Sequence, residues 1–276
     1  MDAAALSLTL LAAVVHAGWN QLLAGSADPP ARIGVAMLVG AVATAPVALV
    51  GFRWDASAWP YVGLSVAFEL AYVVLLAAAY RVAPMSTVYP VARGSAPVLV
   101  LVVGALLGVA VGWVPAIGVV LVVAGILLVR GPEHASSSGV LMALAIGACI
   151  AGYTLVDAHG IDHASVAAYL LVVMGLTAVA QVSLAARGRG VASLVGAALG
   201  RDEWWRTVLA GLGFFLSYGL VLVALRTAPA GLVAAVRETS VVIAVLMLGL
   251  TGQEPVRRRT VLGAAVVAAG VALVVV

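Results

Sequence analysis

Val88-Tyr89-Pro90-Val91-Ala92-Arg93-Gly94-Ser95-Ala96-Pro97 places an arginine, two prolines and a glycine inside a run that is otherwise apolar from Met85 to Ala110. A fixed cation at bilayer depth costs about 2.5–3.5 kcal/mol on insertion scales. The prolines withdraw backbone donors and free carbonyls near Arg93, which a membrane helix tolerates only where those groups face protein or a wet cavity. Ala235-Val236-Arg237-Glu238-Thr239-Ser240 repeats the arrangement downstream, again early in an apolar run.

Composition agrees with a bilayer as solvent. Of 276 residues, 64% are hydrophobic and 9% charged, against about a quarter charged in soluble domains. The net charge of +3 comes from arginines set singly between apolar spans, without the basic face that nucleic-acid binding requires. The sequence holds no lysine, and hence no Walker A loop for ATP. The single cysteine, Cys149, lies in an apolar span and forms no internal disulfide. Ala3–Val15 has the length of a signal-peptide core but no basic residue before it. The apolar pattern runs on through His16-Ala17-Gly18-Trp19-Asn20 to Ala24, so it reads as a retained first helix.

A spanning helix needs about 20 apolar residues. On that ruler the chain divides into ten spans: 3–25, 31–51, 60–80, 86–108, 113–129, 138–158, 164–186, 206–225, 230–250 and 260–276. A partly re-entrant 113–129 would make nine. Turn chemistry marks breaks at Asp28-Pro29-Pro30, Arg53-Trp54-Asp55, Ala83-Pro84, Gly131-Pro132, His159-Gly160 and Gly252-Gln253-Glu254-Pro255. Ser136–Gly139 reads as a polar linker, and Val191–Leu199 as a short interfacial helix in the longest loop.

The ten spans fall into two sets of five. Tyr72 matches Tyr218, Ala83-Pro84 matches Ala228-Pro229, and Arg93 with Ser95 matches Arg237 with Thr239. Gly118 and Gly125 match Gly263 and Gly270, each pair seven residues apart and near one helix face. The fold class expected is all-α integral membrane, ten transmembrane helices as two inverted five-helix repeats, over 1–130 and 138–276. Arginine is concentrated in loops after odd-numbered spans, which places those loops in the cytoplasm and both termini outside.

His16-Ala-Gly-Trp19-Asn20, Tyr89-Pro-Val-Ala-Arg93-Gly94, Tyr153-Thr-Leu-Val-Asp157, Arg237-Glu238-Thr239-Ser240 and Gly252-Gln-Glu254, in this order, resemble the EamA-type branch of the drug/metabolite transporter superfamily. The resemblance covers the whole chain. It implies a ten-helix secondary carrier with a central cavity, typically moving small metabolites or amino acids outward. It also implies termini in the cytoplasm, opposite to the charge count. The first half departs from the family in lacking the loop glutamate after span four, where Gly108-Val-Ala-Val-Gly112 stands.

Arg93 and Arg237 are either staples for opened carbonyls or anion anchors, since the guanidinium fork suits a carboxylate. Glu69, Asp157 and Glu238 are the available partners. Glu69 shares a helix face with Tyr72. It reads either as a proton-coupling group or as a permanent partner of Arg93. Substrate contacts are expected from Trp19, Asn20, Tyr72, Arg93, Tyr153 and Tyr218; coupling or a buried ion pair from Glu69, Asp157, Arg237 and Glu238. His16 reads as a core hydrogen-bonder or a proton relay. His159 and His163 have the spacing of some metal sites, but Gly160 interrupts their shared face, so neither a metal nor a cofactor is expected. The glycine pairs and Gly104-x-x-x-Gly108 read as packing faces, the latter also as a dimer seam.

The function expected is secondary transport, as an exporter of small amphipathic metabolites such as amino acids, by alternating access around a midplane cavity. The partners are the substrate, the lipid bilayer and protons as coupling ion, in a monomer or homodimer. The location expected is the bacterial inner (cytoplasmic) membrane. A membrane-embedded accessory or lipid-processing subunit is the alternative. No Gly-x-Ser-x-Gly or His-Glu-x-x-His motif supports an enzyme.

Overall fold

The computed structural model describes residues 1–23, 29–83, 85–129, 137–188, 190–200, 204–250 and 258–276. Among these the chain is all helical: α1 (Ala3–Leu23), α2 (Pro29–Val50), α3 (Trp59–Val82), α4 (Met85–Leu106), α5 (Trp113–Val129) and α6 (Ser137–Gly160), then α7 (Val166–Ala185), α8 (Val191–Ala198), α9 (Trp204–Ala224), α10 (Ala230–Arg237), α11 (Thr239–Leu250) and α12 (Arg258–Val275). A 3-10 turn, Ala56–Ala58, precedes α3, and no strand occurs among the described residues. Among the described residues nine stretches are long and apolar enough to cross a bilayer, with α10 and α11 together as one of them and α5, at 17 residues, shorter. The outer surface carries Val42, Val50, Leu106 and Leu250, each more than three-quarters exposed. Water would not tolerate such a surface on a monomer. The chain is a multi-pass membrane protein.

The ninth span, 230–250, holds as a span and is built of two helices, α10 and α11, interrupted at Glu238. Two expectations need correction. Ser137–Gly139 belongs to α6 rather than to a linker. The fourth span ends at Leu106, where Leu107 and Gly108 turn the chain and Gly108 adopts φ +89°. Gly131-Pro132, Gly252-Gln253-Glu254-Pro255, Asp28 and Pro84 lie outside the described residues. α4 stays helical through Pro90 and Pro97.

The break at Glu238 is narrow. Its N–H donates to both Ala234 and Ala235 carbonyls, its carbonyl accepts from Val241, and the Thr239 hydroxyl donates to the Val236 carbonyl at 2.7 Å. Carbonyls that would be orphaned at a helix end are thus met from within the segment.

Small residues decide the closest approach. A Cβ on Gly118 would lie 2.7 Å from the Gly270 carbonyl oxygen, and one on Gly125 2.7 Å from that of Gly263; the converse contacts are equally short. Because 118 meets 270 and 125 meets 263, α5 and α12 run antiparallel. Elsewhere α1 packs on α9 and α6 on α3, while α4 lies against α6 and α10, and α1 against α10 and α11. The central core gathers Ile146, Ile150, Tyr153, Tyr169, Phe215 and Tyr218; a second core fills the space between α5, α10, α11 and α12 with Val122, Ile126, Val236, Val241 and Val267.

Without a hydrophobic drive between helices in lipid, such close backbone contact is what holds the α5–α12 seam. A Gly125→Val change puts Cβ 2.6 Å from Val267 Cγ2 as well as against the Gly263 carbonyl. It should cost about 1–3 kcal/mol, the usual range for overpacking, and lower the thermal unfolding midpoint in detergent. Gly63→Ala, with nothing within 4 Å of the added carbon, should leave the midpoint in place.

Candidate functional site

Arg93 is carried into the interior on α4 and is 6% exposed. Its Nε lies 2.9 Å from Glu238 Oε2, within ion-pair distance though out of hydrogen-bond alignment. Its Nη2 lies 2.9 Å from His16 Nε2 on α1. A guanidinium only donates, so Nε2 accepts, and His16 is the neutral tautomer with its proton on Nδ1. The Tyr89 ring stands 5.7 Å from the guanidinium carbon, near enough for a cation–π contact. Of the three acids that could answer Arg93, the structure selects Glu238 at the α10–α11 break, so the reading of Glu69 as a permanent partner of Arg93 falls away.

Arg237 sits differently. It is as buried as Arg93, yet no carboxylate of a described residue lies within ion-pair distance. One Nη2 donates to the Tyr153 hydroxyl at 3.0 Å, the guanidinium stands 5.8 Å from the Tyr218 ring, and Nε is buried without a partner. Tyr153 and Tyr218 meet edge to face at 6.2 Å. The group is a cation whose donors are only partly used, walled by two aromatic rings.

Two carboxyls lie near it. Asp157 is wholly buried and accepts from the Tyr169 hydroxyl at 2.8 Å and from the Tyr218 hydroxyl. Glu69, 9% exposed on α3, makes neither a hydrogen bond nor an ion pair with a described residue. A buried charge without a partner is costly, so a proton or a bound cation would relieve Glu69.

The site therefore joins Arg93, Arg237, Glu238, Tyr153, Tyr218, Asp157 and Glu69 from α3, α4, α6, α9 and α10–α11. Tyr72 is partly buried and within electrostatic reach of Arg93. Trp19 packs with Leu23, Ala36 and Ala210 and against Phe214, reaching the charged group only through its edge contact with His16 at 4.9 Å. Asn20 donates to the carbonyl of His16 on its own helix. Tyr169 escaped the sequence reading: an isolated tyrosine in an apolar helix carries no motif, and its role follows only from α7 lying beside α3 and α9. His159 bonds the Leu155 carbonyl and His163 faces Ser57, so the two do not converge.

A family profile, the EamA-like transporter family, matches residues 137–276, which hold α6 to α12 with Asp157, Arg237 and Glu238. The chain belongs to the EamA-like transporter family. No curated protein matches the sequence. A crystal structure of a protein aligns over 99% of this chain and 96% of its own, with a TM-score of 0.78 at 15% identity. At that identity the likeness is one of fold. In this EamA-like chain the family match covers the broken helix, whose Glu238 supplies the counter-charge to an arginine outside the matched segment.

Removing one partner of a buried pair costs about 3–5 kcal/mol, because it strands the other charge. Glu238→Gln should lower the thermal unfolding midpoint sharply, and the Arg93→Met/Glu238→Leu double variant should recover most of the loss. A double-mutant cycle in detergent reads the coupling.

Proposed function

We propose that the protein is a secondary transporter in which two inverted five-helix halves, 1–130 and 138–276, rock around the buried charged site. Support comes from the exchange of matching contacts between the halves: α1 with α9 answers α6 with α3, and the α5–α12 seam pairs matching glycines across an antiparallel crossing. In this reading α4 and α10 start from opposite membrane faces. Arg93 and Arg237 then lie about 10–12 Å in from those faces, at about 1.5 Å per residue, and bracket the midplane.

The observation that carries the reading is the contrast between the arginines. Arg93 is compensated by Glu238 and is the staple between halves; Arg237, with no acid partner among the described residues and an idle Nε, is the anion anchor. This moves the anchoring role from Arg93 to Arg237. A substrate carboxylate would take the open donors of Arg237, its apolar part would lie on Tyr153 and Tyr218, and Tyr72 would line the approach. Trp19 and Asn20 would shape the wall behind His16. Glu69 would take the coupled proton or face a substrate ammonium group, with Asp157 held in place by its two tyrosines. Small amphipathic metabolites such as amino acids fit this set. Outward transport across a bacterial cytoplasmic membrane follows the family resemblance.

Intracellular and extracellular metabolites of cells expressing the wild type, Arg237→Ala and Glu69→Gln, at matched membrane levels, test this reading. The wild type should enrich a few carboxylate-bearing compounds outside, and Arg237→Ala should abolish at least nine-tenths of that enrichment. Glu69→Gln should make the remainder insensitive to collapse of the proton gradient. Enrichment that survives in both variants would remove the proposed site.

A further inference from the structure

The end of the molecule where α2, α6 and α9 terminate carries a tight polar assembly that the site does not use. The loop before α3 and the turn after α6 lie side by side as an isolated antiparallel bridge between Trp54 and Ala164. Asp55 N–H donates to the His163 carbonyl at 2.8 Å and Ser165 N–H to the Arg53 carbonyl at 2.9 Å. Ser57 Oγ lies 2.8 Å from His163 Nδ1, while the His163 ring stacks on Tyr61 at 5.1 Å. From the end of α9, Arg226 Nη2 donates to the Ile161 carbonyl at 2.5 Å and the Ala164 carbonyl at 3.0 Å. A cavity of about 280 Å³, lined among others by Arg53, Asp55, Asp162 and Arg226, opens beside these contacts.

We propose that this assembly is a latch that holds one face of the transporter shut, with Arg226 as its clasp and the Trp54–Ala164 bridge as its seam. The proposal rests on the alternating-access reading above.

Two features make it a latch rather than ordinary loop packing. First, it crosses the halves through loops and turns rather than through packed helix faces: residues 53–57 precede α3, whereas 161–165 and Arg226 belong to the second half. Rocking of one half on the other must break the backbone bridge, and such hydrogen bonds contribute only about 0.5–1.5 kcal/mol each. Second, it is wired to the site. The turn that Arg226 grips begins one helical turn after Asp157, whose carbonyl accepts from Ile161 N–H at 3.1 Å. Asp157 also accepts from Tyr218, and Tyr218 lies on α9, eight residues before Arg226 in the turn that follows that helix. A substrate that disturbs Tyr218 or Asp157 therefore pulls on both sides of the clasp at once.

The bridge geometry supplies the test. With Asp55 and Ser165 bonded on either side, Trp54 and Ala164 face each other as a non-hydrogen-bonded pair, at a Cα separation of about 4.5 Å, within the range a disulfide accepts. Cys149 is the single native cysteine. In a Cys149→Ser background, Tyr72→Cys serves as the interior reporter, labelled by a membrane-impermeant maleimide in right-side-out cells and in inverted vesicles. The unlatched reporter should react from both sides. Adding Trp54→Cys/Ala164→Cys and oxidising should cut labelling from the latch face at least tenfold, leave the opposite face open, and be reversed by reductant. Arg226→Ala, which needs no disulfide, should raise labelling from the latch face severalfold.

Labelling from the latch face that is unchanged by both the disulfide and Arg226→Ala would overturn the latch while leaving alternating access standing. A reporter that reacts from one side only in the uncrosslinked protein would overturn alternating access, and the latch with it. Neither readout needs the substrate.

Discussion

A cation inside a bilayer has to be answered by an anion or by enough oriented dipoles, and in this protein the answer to Arg93 comes from across the chain. Glu238 meets it at 2.9 Å from a helix break almost 150 residues downstream, and His16 closes the second side from α1. The pair explains why α10 stops where it does. A glutamate in an unbroken apolar helix would have its carboxylate fixed by the helix face; the narrow break lets the side chain be placed while Thr239 takes up a freed carbonyl. Buried pairs of this kind are weak evidence of net stability. Their better attested role is to set register, and this one ties α4 to the α10–α11 break.

With Arg93 compensated, the two arginines stand in unlike surroundings. Arg237 occupies the matching place in the second half, but its neighbours are aromatic hydroxyls and ring faces rather than an acid. The two arginines thus differ in how they are compensated. Glu69 and Asp157 differ in the same way: among the described residues one has no partner, the other has two tyrosine donors. Almost the whole group is more than nine-tenths buried, so this conformation encloses its polar centre, and access has to come from movement at the ends of the bundle.

The packing around that centre sorts into contacts that resist motion and contacts that permit it. The α5–α12 seam, with backbone oxygens where a Cβ would stand, is a rigid spine. The loop bridge at Trp54–Ala164 is a handful of backbone hydrogen bonds between two loops. The two kinds of contact lie in different places.

Spans, turns and the matched glycines and arginines were legible in the sequence because the bilayer imposes rules on each residue locally: apolar length, arginine cost and small residues at close contacts are all one-dimensional signals. Boundaries at Ala3, Trp113 and Ser137 fall within a residue or so of expectation for that reason. The partner of Arg93 was not legible. Glu69, Asp157 and Glu238 are all acids in apolar surroundings, and sequence distance says nothing about which reaches across. That choice depends on which helix lies beside α4, and on a one-residue break in α10–α11 whose dihedral change leaves no composition behind. Tyr169 stayed hidden for the same reason, since only the packing of α7 brings its hydroxyl to Asp157. The sequence by itself determined that this is a helical membrane protein with charges it must bury. The tertiary structure alone decided which charges are spent on each other and which stay available, because compensation is a matter of a few ångströms in space.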